Sequence, residues 1–135
     1  MTIVVAYSPD RYGRAALAHG AAEATLRGEH LLVVNDTRGD ALVDDRFAHE
    51  AEVARVRARL ATLGLDAEMR QEVVRDVAEG VVKAAAEVEA SLIVVGVRHR
   101  SPVGKALLGS VAQRVILDAP CPVLAVKPDE ESDGI

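Results

Sequence analysis

The chain is predicted to fold as an α/β protein in which a parallel sheet of five strands and four helices form three layers. Three observations carry this prediction. Four short runs, residues 3–6, 31–34, 92–95 and 123–126, are dense in Val, Ile and Leu, and none alternates apolar with polar positions; strands covered on both faces read this way. The longer segments between them repeat apolar residues at helical spacing. Strand-like and helix-like segments take turns along the chain, and right-handed crossovers wind such an order into a sheet with helices on both sides.

Residues 3–6 (IVVA) are the first strand. Residues 14–27 place Leu17, Ala21 and Ala24 on one helical face, and Gly28 just beyond is a stop signal. Residues 31–34 (LLVV) are the second strand, followed by a loop over 37–44. A second helix is expected over 45–63, with Val53, Val56, Leu60 and Leu63 together; Asp44, Asp45, Glu50 and Glu52 at its start complement the helix dipole, and Gly64 ends it. Residues 66–73 (DAEMRQEV) are a weaker strand whose Ala67, Met69 and Gln71 alternate with charges, as at a sheet edge. The third helix, 76–89, aligns Val77, Val81, Ala84 and Val88. Residues 92–95 are the fourth strand, 110–119 the fourth helix, closed by Asp118-Ala119-Pro120, and 123–126 the last strand. One domain over 1–128 is expected, with 129–135 an acidic disordered tail.

Composition narrows the function classes. The 135 residues, half of them hydrophobic, suit one domain with a continuous core. No apolar run approaches the roughly 18 residues that cross a bilayer, and the opening TIVVAYSP has neither a basic lead nor a cleavage site, so a cytoplasmic protein without membrane contact is expected. With 21 acidic against 16 basic residues the net charge is −5, which argues against a broad nucleic-acid surface. Two Tyr, one Phe and no Trp leave no stacking platform for single strands. Cys121 stands alone and reads as a small buried hydrophobe. His19 and His49 fall in helical segments and His30 precedes the second strand, none with a partner at metal spacing, so no metal is expected.

The segment 96–110, GVRHRSPVGKALLGS, joins the fourth strand to the fourth helix through glycines, cations and a hydroxyl. Gly104 and Gly109 let the backbone turn tightly, Ser110 sits where a helix N-terminus offers unpaired N–H donors, and Arg98, Arg100 and Lys105 add positive charge; the chemistry suits a phosphate. It is not a Walker A loop, because His99 and Ala106 occupy the positions of its first glycine and its hydroxyl. Nor does the loop after the first strand, YSPDRYG, carry a GxGxxG fingerprint.

The segment is similar to the phosphate loop of the universal stress protein family, Gly-x2-Gly-x9-Gly-Ser/Thr. Gly96 and Gly109-Ser110 stand in place, and His99 replaces the second glycine. The opening IVVAYSPDRYGRAALAHGAAEA and the continuation SVAQRVILDAPCPVLAVKP resemble the same family, so the likeness spans residues 1–128.

The resemblance implies a three-layer Rossmann-like sandwich with strand order 3-2-1-4-5 and an adenine nucleotide, ATP or AMP, across the carboxyl ends of strands 1, 2 and 4. Carried over residue by residue, it assigns the ligand contacts to Ala6, Tyr7 and Ser8, to the backbone around Asn35, to Gly96, Val97, Arg98 and His99, and to Gly104, Lys105, Gly109, Ser110 and Val111 around the phosphates. Ser8 replaces an aspartate usual in nucleotide-binding relatives, and a neutral hydroxyl holds no divalent cation by charge.

A homodimer is also implied, paired through the last strand from Pro122 to Val126. A non-catalytic nucleotide-binding module in the stress response is the reading that follows. The alternatives are a nucleotide-independent dimeric stress protein with a vestigial or anion-binding pocket, and a slow ATPase. Near the loop the candidate nucleophiles and bases are Ser101, Ser110 and His99, with no carboxylate in the local sequence to orient the histidine.

Overall fold

The computed structural model describes residues 1–39, 48–98 and 108–129. Nine elements follow in order: β1 (Thr2–Ala6), α1 (Arg11–Arg27), β2 (His30–Val34), α2 (Glu50–Thr62), β3 (Ala67–Arg70), α3 (Val77–Glu87), β4 (Leu92–Gly96), α4 (Ser110–Asp118) and β5 (Val123–Val126). The strands form one sheet in the order β3-β2-β1-β4-β5, every pair parallel. Ala6 lies beside Val34 on one side and Val95 on the other, so the carboxyl ends of β1, β2 and β4 finish nearly level.

Successive side chains of a strand point to opposite faces, and both faces here are covered. Ile3, Val5, Leu31, Val33, Met69 and Val94 pack with Leu17 and Ala21 of α1 and Val53, Val56 and Leu60 of α2. Val4, Leu32, Val34 and Ile93 pack with Ala78, Val81 and Ala84 of α3 and Val115 of α4. This double covering is why the central strands read as unbroken apolar runs.

The helices start and stop for local reasons. Asp10 caps α1 by accepting from the Gly13 N–H at 2.9 Å, which starts the helix three residues before the expected position, and Gly28 at φ 65° ends it. Expected over 45–63, α2 begins only at Glu50. The reason is tertiary: the Ala48 N–H donates to Asn35 Oδ1 at 2.7 Å and the Ala48 carbonyl accepts from Gln71 Nε2 at 2.8 Å, so this backbone is engaged before the helix forms. Asp44 and Asp45 lie outside the described residues. Leu63, expected on the buried face, is the C-cap residue and 50% exposed. β3 is shorter than expected: beyond Arg70, pairing survives as a single bridge from Thr37 to Val73. Asp76 caps α3 through the Glu79 N–H at 3.0 Å.

His19 is exposed on α1, and His49 precedes α2 rather than lying in a helix. His30 begins β2, its Nδ1 3.1 Å from Asp66 Oδ2. Cys121 is half-buried, and that burial pushes its thiol pKa up. No described helix is long and apolar enough to cross a membrane.

Candidate functional site

The order in which strands are added reverses between β1 and β4: the first crossovers run outward through β2 to β3, and the next returns to the other side of β1. Loops diverge at such a point and leave a crevice at the carboxyl ends of the strands. A cavity of about 490 Å³ lies there, within the size range of small-molecule sites.

The end of β1 supplies one wall with Ala6, Tyr7 and Ser8. The Tyr7 N–H donates to the Val34 carbonyl at 2.9 Å, and its own carbonyl accepts from Asn35 Nδ2 at 2.8 Å. Its hydroxyl donates to Glu52 Oε1 at 2.5 Å, which fastens the loop to α2. Burial and the adjoining Glu52 carboxylate hold the Tyr7 phenol protonated well above its usual range; that phenol and Arg55 hold Glu52 below the usual carboxylate range. Ser8 donates its hydroxyl proton to Asp10 Oδ1 at 2.9 Å, and its backbone touches α1 so closely that a Cβ on Gly13 would overlap it.

The end of β2 supplies Val34, Asn35, Asp36 and Arg38. Asn35 is almost wholly buried; its side-chain oxygen accepts from the Ala48 N–H and from Gln71 Nε2, so this amide joins the ends of β1 and β2 to the residues after β3 and before α2. Asp36 is 5% exposed. Burial pushes its carboxyl pKa up to about 6, against the opposing pull of the Glu72 N–H, which donates to Oδ1 at 3.1 Å. Val77 and Val81 of α3 form an apolar side wall next to it.

The end of β4 supplies Val95, Gly96 and Arg98. Gly96 has no room for a side chain, because a Cβ would overlap the Tyr12 carbonyl. Tyr12 also lines the cavity; its ring lies 4.9 Å from the Arg11 guanidinium and 5.9 Å from that of Arg98. Gly109, at φ 88°, turns the chain into α4 and makes no side-chain cap bond. The first turn of α4, Ser110 to Ala112, therefore meets the cavity with no side-chain cap among the described residues and with the positive end of its dipole at the wall.

Of the residues singled out from the sequence, Ala6, Tyr7, Ser8, Asn35, Gly96, Arg98, Gly109, Ser110 and Val111 come together on this wall. Val97 does not: it is buried beside Val95 and Ala112, and its N–H donates to the Val126 carbonyl at 2.8 Å. His99, Gly104 and Lys105 lie outside the described residues, as do Arg100 and Ser101.

Sequence reasoning missed Asp10, Tyr12, Asp36 and Arg38. Asp10 and Asp36 bring to the cavity the carboxylates that position 8 lacks. The signal for Asp36 was its place two residues beyond a strand end at the binding rim; Asp10 was visible as a helix cap in the loop after β1. Among the described residues, no group of three or more His, Cys, Asp or Glu could hold a metal ion.

Comparison with known proteins gives a consistent picture. Residues 1–127 match the universal stress protein family profile. A universal stress protein of Mycolicibacterium smegmatis is 55% identical over 126 residues, 93% of this chain and 97% of that protein. Among solved structures, a universal stress protein from Archaeoglobus fulgidus superposes with a TM-score of 0.77 at 31% identity, over 93% of this chain and 97% of the other. Another structure from Archaeoglobus fulgidus, a universal stress protein in complex with dAMP, gives a TM-score of 0.68 at 26% identity, over 93% and 96% of the two chains.

Proposed function

The chain belongs to the universal stress protein family, and from that premise we propose that it is a non-catalytic module that binds an adenine nucleotide, ATP or AMP, in the switch-point cavity. The observation that carries the reading is the cavity's mixed lining. The start of α4, without a side-chain cap bond from Gly109, lines it together with Gly96 and Arg98, a donor-rich and cationic setting for phosphate. Val34, Val77 and Val81 add apolar surface suited to a flat base. The dAMP complex of the Archaeoglobus fulgidus protein supports the same choice of ligand class.

Occupancy acts by favouring one arrangement of the loop that follows β4, and so alters what the protein contacts. Two copies pair through β5, in keeping with the partly covered Val123 and Leu124 at the sheet edge and with the exposed Ile116 and Leu117 on the neighbouring α4.

Isothermal titration with ATP, ADP, AMP and cyclic AMP tests the reading. Heat with at least one of them is expected, and a phosphate-release assay should show no turnover. Silence with all four at millimolar concentration would leave only the nucleotide-independent dimer, and phosphate release above a no-protein blank would make the protein a slow ATPase.

A further inference from the structure

Tyr12 lines the cavity between two cations. Its ring centroid lies 4.9 Å from the guanidinium carbon of Arg11 and 5.9 Å from that of Arg98, both within cation–π range. Arg98 is exposed, and among the described residues no carboxylate stands within ion-pair distance of it. An exposed arginine side chain samples many rotamers, and a ligand that needs one of them bears the cost of ordering it.

The chemistry of the holder matters as much as the holding. A carboxylate would neutralise the Arg98 charge and occupy its N–H donors. An aromatic ring attracts the cation and leaves its fork of N–H groups for a phosphate. Tyr12 is itself fixed. It is the second residue of α1, whose start Asp10 caps, and its carbonyl lies against Gly96 at the end of β4, two positions before Arg98. Its phenol oxygen accepts from Arg11 Nη2 at 2.8 Å. The ring therefore links the start of α1 to the cation that follows β4.

We propose that Tyr12 is a positioning residue for phosphate: its ring holds the Arg98 guanidinium at the cavity wall, so that the charge is in place before a nucleotide arrives. The proposal rests on the nucleotide-binding reading above. It concerns the charged part of the ligand alone, and a nucleoside without phosphate gains nothing from it.

The test is isothermal titration of the whole chain with AMP and with adenosine. Tyr12→Leu, which keeps an apolar side chain but loses the ring, is expected to weaken AMP about fivefold and to leave adenosine within about 1.5-fold of native. Tyr12→Phe keeps the ring and should hold AMP within about 1.5-fold of native. In Arg98→Gln protein, adding Tyr12→Leu should weaken AMP no further. Circular dichroism reports whether each variant is folded, and Tyr12→Met carries the same comparison where Tyr12→Leu is not.

Unchanged AMP affinity in folded Tyr12→Leu would overturn the assignment while leaving nucleotide binding intact. So would an equal loss on adenosine, which would make the ring a wall for the nucleoside, or an equal loss in Tyr12→Phe, which would make the phenol oxygen the group that acts. A loss that persists without Arg98 would overturn it as well. Absence of AMP binding by native protein would overturn the nucleotide reading, and this inference with it.

Discussion

Single residues in this protein are used twice, once to hold the fold and once to shape the cavity. Tyr7 belongs to the core, yet its carbonyl and hydroxyl fasten the β1 loop to Asn35 and Glu52. Asp36 carries the clearest consequence for pH. Its carboxyl pKa is raised from 3.8 to about 6 by burial, so the native state holds a proton that the unfolded chain has released. The stability linked to that proton is complete below about pH 4 and is lost as pH rises through about 6. Asp36→Asn cannot ionise and keeps an acceptor for Glu72. Its melting temperature should exceed that of the native protein at about pH 7.5, and the gap should close on acidification toward about pH 4. A gap that is constant across this range would show that the carboxylate is not strained by its surroundings.

Between elements, close approach of backbones sets the geometry. The buried face of α1 contains Gly13, Ala16, Gly20 and Ala21, small enough to bring the helix down onto β1 and β4. Where it meets the end of β4, a side chain on Gly96 would overlap the Tyr12 carbonyl, which belongs to the backbone and cannot swing aside. Gly96→Ala should therefore force the start of α1 away from the sheet, at a cost of about 1–3 kcal/mol. Tyr12, Gly13 and Gly96 line the same cavity, so nucleotide affinity should fall with it. Thermal melting and titration with AMP measure the two effects, and a variant as stable as the native chain would mean that α1 has slack at this contact.

For the whole molecule, a sheet in the order 3-2-1-4-5 puts β1, β2 and β4 at its centre and leaves β3 and β5 as edges. β3 carries charge on its edge, at Glu68 and Arg70, which discourages pairing with another strand. β5 is apolar throughout, VLAV, and so is the edge suited to a second copy. If two copies pair there as proposed, Leu124→Lys should convert that dimer into a monomer in sizing chromatography, with the circular dichroism spectrum retained. A variant that still elutes as a dimer would move the interface elsewhere, the exposed Leu117 of α4 being the next surface to change.

The layered fold was legible because parallel strands covered on both sides leave an unmistakable apolar signature, and because amphipathic helices repeat in register with it. Gly96, Gly109 and Ser110 were legible for a different reason: the motif they form is local, and local backbone geometry follows from local residues. What the sequence could not place is what depends on residues far apart in the chain. The late start of α2 follows from Asn35 and Gln71 holding Ala48. The Tyr7–Glu52 bond spans 45 positions. Asp10 and Asp36 became cavity carboxylates only once β1 and β2 lay side by side. Periodicity, propensity and loop motifs reside in neighbouring residues and are written along the chain; burial of a charge and pairing of distant polar groups exist only after the sheet has assembled, and those decide what the cavity can bind.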